Sequence, residues 1–137
     1  MAQTRGGALE GFRVLDASQI ISGPLATRLL ADQGADVIKI EPPSGDLVRH
    51  MGGPPGLSPT FATVNRSKRS VVLDLKNEDA LAALHRMVAR ADVFVQNQRP
   101  GTADRMGIGA ETLRNLNPRL VYVSISGFGH TGPYSHK

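Results

Sequence analysis

The chain has 137 residues, enough for one domain with a hydrophobic core, and contains no cysteine. Lys and Arg outnumber Asp and Glu by 16 to 12, which gives a formal net charge of +4, but the basic residues are scattered and only 4% of residues are aromatic. This composition excludes a disulfide scaffold or thiolate chemistry, disfavours nucleic-acid binding and membrane spans, and fits a cytoplasmic protein with either a solvated basic surface or a small anionic ligand.

Five apolar segments rich in Val, Ile and Leu predict strands that are covered on both faces. In chain order they are Phe12–Ala17, Ala35–Glu41, Ser70–Leu75, Asp92–Gln96 and Arg119–Ser126. Three segments between them predict helices, at Gly23–Gln33, Glu78–Arg90 and Ala110–Leu116. Ser22 is a candidate N-cap of the first helix, and Gly34 is suited to the position just after its end.

The alternation of strands and helices predicts an α/β fold, in which parallel strands are joined by right-handed crossovers. The segment from Pro42 to Pro59 is rich in Gly and Pro and predicts a long loop. Loops of this length inside a compact domain usually carry function or move.

A glycine-rich segment follows the last predicted strand. Gly127, Gly129 and Gly132 satisfy the pattern G-x-G-x-x-G, but a dinucleotide site needs this pattern to open a helix, and Pro133 follows here. We therefore predict a mobile flap over a ligand site and not a nicotinamide or flavin site. The four histidines lack metal-site spacing, and a catalytic role for His130 or His136 is the weaker interpretation because no orienting carboxylate is evident.

Polar residues follow the first and fourth predicted strands, where a parallel sheet collects its ligands. Gln19 to Ser22 join the first strand to the first helix, and Asn97 to Arg99 follow the fourth strand. These groups could bind a carbonyl or a phosphate, or they could form an ordinary connector and a Pro-Gly turn. The third predicted strand is flanked by three cations, Lys68, Arg69 and Lys76. Each could bind a phosphate or could be an ordinary exposed charge.

Several sequence blocks recur in a fixed order along nearly the whole chain. They are Leu9–Asp16, Ser22–Pro24, Leu30–Asp46, Asn65–Ser70, Asp92–Asn97 with Arg99–Gly101, Asn117–Leu120, and Ser124–Gly129 with Thr131–Pro133. Together these blocks resemble the class III coenzyme A transferases, which include formyl-CoA and carnitine-type CoA transferases and share their fold with α-methylacyl-CoA racemase.

The resemblance implies that residues 1–137 form the N-terminal portion of a Rossmann-like large domain in a two-domain protein that assembles as an interlocked homodimer. It implies acyl-CoA and a carboxylic acid as substrates, coenzyme A as the bound cofactor, and no metal. The aspartate nucleophile of the family would fall after Lys137, as would the His and Asp of the racemases. No catalytic residue is therefore expected within the chain, and the 137-residue chain alone is expected to be inactive.

The resemblance also implies which residues contact CoA. They are Ile21, Ser22, Leu73, Asp74, Leu75, Lys76, Asn97, Gln98, Arg99 and Arg105. Two departures from the family pattern concern substrate binding. Formyl-CoA transferases carry Gln at the position of Ile21, so the Ile in this chain argues against a formyl or oxalyl acyl group. They carry Arg at the position of Pro42, so this chain lacks one phosphate contact.

Three functions remain open from the sequence. A CoA transferase is favoured, because Asn65–Ser70 and Ser124–Gly129 are closer to the transferases than to the racemases. The alternatives are an enzyme similar to α-methylacyl-CoA racemase and a non-catalytic CoA-binding fragment.

Overall fold

The computed structural model describes residues 6–53 and 58–135, so residues 54–57 of the predicted loop, together with His136, lie outside the described part. The strands are β1 (Arg13–Asp16), β2 (Asp36–Glu41), β3 (Arg69–Val72), β4 (Val93–Gln96) and β5 (Val121–Ser124). The helices are α1 (Ser22–Asp32), α2 (Pro59–Asn65), α3 (Glu78–Val88), α4 (Thr102–Arg105) and α5 (Ala110–Leu116), with a 3-10 helix at Leu47–His50.

The five strands form one parallel sheet in the order β3-β2-β1-β4-β5, which confirms the predicted α/β fold. Leu15 in β1 pairs with Ile38 in β2 on one side and with Phe94 in β4 on the other. The chain builds outward from β1 to β3 and then returns to place β4 on the opposite side of β1. Such a reversal opens a crevice at the carboxyl ends of the two central strands.

Alternating strand residues build two hydrophobic clusters, one on each face of the sheet. One cluster contains Leu15 and Phe94 with residues from α3 and α5, including Leu84 and Leu113. The other cluster contains Val14, Ala31, Ala35, Val37 and Val95, with Ala31 contributed by α1. Helices therefore cover both faces, as strands with apolar residues on both sides require.

The prediction that every strand is covered on both faces is wrong for the two edge strands, β5 and β3. The apolar Val121 of β5 is 56% exposed. Strand β3 lies at the other edge of the sheet, and its apolar Val72 is 60% exposed. It also ends at Val72 and not at the predicted Leu75, because Leu73 makes only one further ladder bond, from its N–H to the Glu41 carbonyl at 2.8 Å. The three residues Leu73, Asp74 and Leu75 thus leave the strand at the carboxyl edge of the sheet.

The predicted long loop contains two short helices that the sequence analysis did not identify. The 3-10 helix begins after Asp46, whose carboxylate accepts a bond from Val48 N–H, and α2 begins after Ser58, whose hydroxyl accepts a bond from Phe61 N–H. Pro59 occupies the first turn of α2, a position that suits its missing N–H. These are ordinary capping signals, so α2 was detectable from the Ser-Pro pair.

Candidate ligand-binding clefts

A cleft of about 540 Å³ opens at the carboxyl edge of the sheet. Its walls are apolar and come from several elements, namely Ala17, Ile40, Leu73, Leu75, Leu81, Met106 and Ile108. Polar and charged side chains stand among them, with Lys76 and Arg105 as cations and Asp74 and Asp104 as anions. An apolar slot with a few convergent polar groups is the usual form of a small-molecule site.

The sequence-predicted residues after β3 all line this first cleft. The turn that carries them is closed by Asp74, which accepts bonds from Lys76 N–H through its carboxylate at 3.1 Å and from Asn77 N–H through its carbonyl at 2.8 Å. Asn77 in turn caps α3, because its Oδ1 accepts bonds from the N–H groups of Asp79 and Ala80. These bonds stabilise the turn, and its geometry leaves the side chain of Lys76 exposed.

A second recess of about 350 Å³ lies between the ends of β4 and β5 and the start of α1. Its lining includes Ser22, Asn97, Arg99 and Gly127. Gln98 lines both the recess and the first cleft. The structure thus brings all ten predicted residues except Ile21 to two adjoining openings, whereas Ile21 is 48% exposed and lines neither of them.

Asn97 lines the second recess and also binds both backbone polar groups of Gln19. Its Oδ1 accepts a bond from Gln19 N–H, and its Nδ2 donates to the Gln19 carbonyl, both at 2.8 Å. Its Nδ2 also lies 3.5 Å from the Ser22 hydroxyl. The prediction that Ser22 caps α1 is wrong, because Ile21 occupies the N-cap position, Ser22 is the first helical residue, and no side chain caps this end.

Lys68 is neither an exposed charge nor available to a phosphate. Its Nζ lies 2.8 Å from each of three acceptors, the Asp16 carboxylate, the Pro24 carbonyl and Asn65 Oδ1, and its side chain is only 2% exposed. Burial alone would raise the pKa of Asp16, but Lys68 and Lys39 lower that pKa below its usual value. The charge of Lys68 is therefore paired with Asp16 inside the protein.

Arg69 lies away from the clefts. Residue Arg69 begins β3, and its guanidinium pairs with the Asp36 carboxylate at 2.7 Å, at the amino edge of the sheet. Because Asp36 begins β2 on the same edge, this ion pair joins two neighbouring strands on the side opposite the ligand openings. Of the three cations that flank the third strand, Lys76 alone lines either of the two openings at the carboxyl edge.

Two further ion pairs, one buried and one partly exposed on its arginine side, were missed by the sequence analysis. Lys39 Nζ lies 2.8 Å from Asp46 Oδ2, with both side chains almost fully buried. Arg49 holds Glu41 with two bonds of 2.6 and 2.7 Å and stacks over the ring of Phe61. The signal was present, because a Lys and a Glu within the apolar segment of β2 must find partners when that strand is buried.

The ionisation of Glu41 makes the free energy of unfolding depend on pH. Burial alone would raise its pKa, but bonds from Arg49, Ser70 and the Asp46 N–H lower the pKa from 4.5 to about 2. Because the folded-state pKa is the lower one, this stabilisation is complete above about pH 4.5 and is lost as the pH falls toward 2. We expect Glu41→Gln to reduce the free energy of unfolding at pH 6 and to matter much less near pH 2.

Urea titrations of both proteins at several pH values measure this difference. Glu10→Gln is the matched control, since it makes the same chemical change at an exposed turn residue. A Glu41→Gln effect of equal size at pH 6 and near pH 2 would contradict the assignment.

The glycine-rich segment after β5 opens no helix within the described residues, so it lacks the geometry of a dinucleotide fingerprint. Gly129 and Gly132 have φ values of 80° and 93°, which form successive bends that glycine adopts without strain. Ser124 Oγ lies 2.8 Å from His130 Nε2 and accepts a bond from Gln96 Nε2 at 2.7 Å. His130 therefore has a hydroxyl partner, and this contact ties the segment to the end of β5.

Within residues 6–53 and 58–135, no group of three His, Cys, Asp or Glu side chains is arranged to hold a metal ion. No helix in the same part of the chain has the length and apolar character needed to cross a membrane.

Comparison with known proteins agrees with this geometry. A family model described as CoA-transferase family III matches residues 9–137. The chain is 48% identical over 132 residues to an acetyl-CoA:oxalate CoA-transferase of Acetobacter aceti, which covers 95% of this chain and 34% of that protein. It is also 48% identical over 131 residues to a succinyl-CoA:mesaconate CoA-transferase of Haloarcula hispanica, with coverages of 90% and 33%.

Among solved structures, a CAIB/BAIF family protein from Brucella suis superposes with a TM-score of 0.91 at 40% identity, over 96% of this chain and 36% of that one. The chain thus spans about a third of the length of the curated relatives that it matches.

Proposed function

The chain belongs to CoA-transferase family III, and from that premise we propose that it forms the acyl-CoA-binding part of an enzyme that transfers CoA from an acyl-CoA donor to a carboxylic acid. The observation that carries this proposal is the convergence of nine predicted CoA contacts on two openings at the carboxyl edge of one sheet. These residues come from three separate connections after β1, β3 and β4, so their convergence depends on the fold.

The chemistry of the two openings suits CoA. We propose that the apolar first cleft holds the adenine, since Leu73 and Leu75 offer a flat apolar wall. Lys76 and Arg105 on the same cleft, and Arg99 on the recess, would then contact the phosphates, because charge-assisted bonds to phosphate are strong and guanidinium groups bind it in a bidentate way.

The proposed reaction is nucleophilic catalysis by a carboxylate outside residues 1–137. The carboxylate attacks the carbonyl of the donor thioester, the C–S bond breaks so that CoA leaves as a thiolate, and a mixed anhydride of the enzyme carboxyl group and the donor acid remains. The thiolate then attacks the carbonyl of the enzyme carboxyl group, which releases the donor acid and leaves an enzyme–CoA thioester. The acceptor acid repeats these two steps in reverse and leaves as its CoA ester. In this scheme residues 1–137 hold CoA, and the glycine-rich segment limits access of water.

The relatives suggest the acceptor class. Their names specify oxalate and mesaconate, which are both short dicarboxylic acids. We propose a short dicarboxylic acid as acceptor, with Ile21 in place of the family Gln as a reason to test donors other than formyl-CoA and oxalyl-CoA first. A panel of acyl-CoA donors and dicarboxylates, assayed by formation of the new CoA ester, identifies the pair.

Two alternatives are separated by simple assays. A racemase would exchange the α-hydrogen of a 2-methylacyl-CoA with solvent deuterium and would need no acceptor acid, whereas the named relatives above are transferases. A CoA-binding fragment without activity would bind CoA and transfer nothing. We further propose that residues 1–137 are the N-terminal portion of a large domain, within an interlocked homodimer located in the cytoplasm.

We predict that Lys76→Ala and Arg99→Ala weaken acyl-CoA binding more than they slow the reaction. Both contacts would persist from the ground state to the transition state, so KM for acyl-CoA should rise while kcat stays nearly constant. Because both side chains are exposed, we expect a rise in KM of about 3- to 10-fold, which shrinks at high salt. Steady-state kinetics on the protein expressed from its complete reading frame measure both constants.

Arg90→Ala is the matched control, because it removes an exposed cation just after α3, at the opposite edge of the sheet from the clefts. The control should leave KM unchanged. A large fall in kcat at constant KM for either test variant would show that Lys76 or Arg99 does something other than hold CoA.

A further inference from the structure

The connection between β1 and α1 is held almost entirely by side chains from elsewhere. Ser18 N–H donates to Asp16 Oδ1 at 3.0 Å, and the Ser18 carbonyl accepts from Lys39 Nζ at 2.9 Å. Both backbone groups of Gln19 bind Asn97, and Ile20 N–H donates to Asp46 Oδ1 at 3.2 Å. Five successive backbone polar groups are thus fixed by residues from β1, β2 and the connections after β2 and β4.

Ile20 sits in a conformation that its side chain disfavours. Its φ is 70°, in the left-handed region, where a β-branched residue is a true outlier. The side chain is 44% exposed, so packing of that side chain into the core does not explain the conformation. The backbone bonds on either side must therefore hold it there.

Asp46 links the backbone of Ile20 to Lys39 in this network of hydrogen bonds. It is fully buried, and its Oδ1 accepts bonds from the N–H groups of Ile20 and Val48. Its Oδ2 makes an ion pair with Lys39 Nζ at 2.8 Å but no well-aligned hydrogen bond. Because Lys39 also binds the Ser18 carbonyl, Asp46 and Lys39 together reach both ends of the segment from Ser18 to Ile20.

The segment from Ser18 to Ile20, which Asp46 and Lys39 hold by hydrogen bonds, lies where the two openings meet. Gln19 lines the first cleft, and Ser22 lines the second recess. The direction of the chain between them is set at Ile20. A relaxation of Ile20 to an ordinary backbone conformation would therefore move both lining residues relative to each other.

We propose that Asp46 is a positioning residue for ligand binding: with Lys39 it holds Ile20 in the left-handed conformation and so fixes the wall between the two openings. Asp46 itself does not reach the ligand, because it lies beneath the connection and is fully buried. The proposal rests on the proposed function in that acyl-CoA is the ligand whose binding it affects.

The test uses Asp46→Asn in the protein expressed from its complete reading frame. Amide hydrogen exchange reports the Ile20 N–H directly, and kinetics report the consequence for acyl-CoA. We expect exchange at Ile20 to accelerate about tenfold or more, and KM for acyl-CoA to rise about tenfold, with kcat changed less than about threefold, as loss of one charge-assisted bond would produce.

Ile20→Gly is a second variant that should fold even if Asp46→Asn does not, because glycine adopts a positive φ without strain. We expect an unchanged melting temperature within a few degrees, and a rise in KM because glycine is not confined to one conformation. Asp36→Asn is the matched control, since it makes the same chemical change at the start of β2, where the arginine partners of Asp36 lie at the amino edge of the sheet. It should alter neither Ile20 exchange nor KM.

The outcomes are distinguishable. Unchanged exchange at Ile20 in Asp46→Asn overturns the proposal, and so does faster exchange with an unchanged KM. If Asp46→Asn does not fold, an unchanged KM in Ile20→Gly overturns it as well. If the unaltered protein fails to bind CoA in a calorimetric titration, the proposed function fails, and the exchange result alone then decides whether Asp46 holds the connection.

Discussion

Replacement of Lys68 by Met should lower the free energy of unfolding by about 3–5 kcal/mol. The Lys68 side chain is 2% exposed and Asp16 is fully buried, so the variant leaves a carboxylate in the interior without its nearest cation. The variant also removes donors to the Pro24 carbonyl and Asn65 Oδ1. Because α1 starts beside this pair, its first turn should loosen together with the end of β1. Urea denaturation followed by circular dichroism measures the loss.

Arg66→Met is the control for Lys68→Met. Arg66 also pairs with an aspartate, Asp32, at 2.9 Å, but its side chain is 57% exposed, so its removal should destabilise the protein much less than Lys68→Met does. The double variant Asp16→Asn/Lys68→Met should recover part of the loss, because no unpaired charge then remains buried. Equal losses for Lys68→Met and Arg66→Met would show that burial does not set the strength of the inner pair.

Replacement of Gly23 by Ala should destabilise the protein by about 3 kcal/mol, against the trend of helix propensity. Gly23 lies in the first turn of α1, where alanine is normally favoured by about 1 kcal/mol. An added Cβ would lie 2.2 Å from both Cβ and Oγ of Ser18. Ser18 cannot move aside freely, since it is fully buried and its hydroxyl donates to Asp16. Thermal and urea unfolding measure the change.

Two further variants test this explanation. Gly127→Ala should change stability little, because an added Cβ there meets nothing within 4 Å among the described residues. Gly23→Ala/Ser18→Gly removes both atoms of the clash and should be more stable than the single variant Gly23→Ala. If the double variant is less stable still, the contact with Ser18 is not the cause.

The place of one group of candidate site residues could be predicted from the sequence, because Asn97 to Arg99 directly follow a predicted strand and ligands in a parallel sheet collect at strand ends. Leu73 to Lys76 were selected through the family resemblance, with Leu73 to Leu75 predicted inside the third strand, and only the fold showed that they leave the strand and line the first cleft. Lys68 could not be assigned correctly in the same way. A basic residue beside a strand looks the same in sequence whether it faces solvent or a buried aspartate, and only the packing of α2 against α1 and of α1 against β1 decided its role.

The sequence by itself determined the order of the five strands and of helices α1, α3 and α5, the parallel sheet and the family, because apolar periodicity and local motifs act over short stretches of chain; it did not identify the short helices α2 and α4. The tertiary structure alone decided which strands became edges, that Asn97 clamps Gln19, and that Lys39 and Asp46 hold Ile20 in a left-handed conformation. The physical reason is that a buried charge or amide must satisfy its bonds with whichever group the fold brings near. Gln19 and Asn97, for example, are partners 78 residues apart in sequence, beyond the reach of any local pattern.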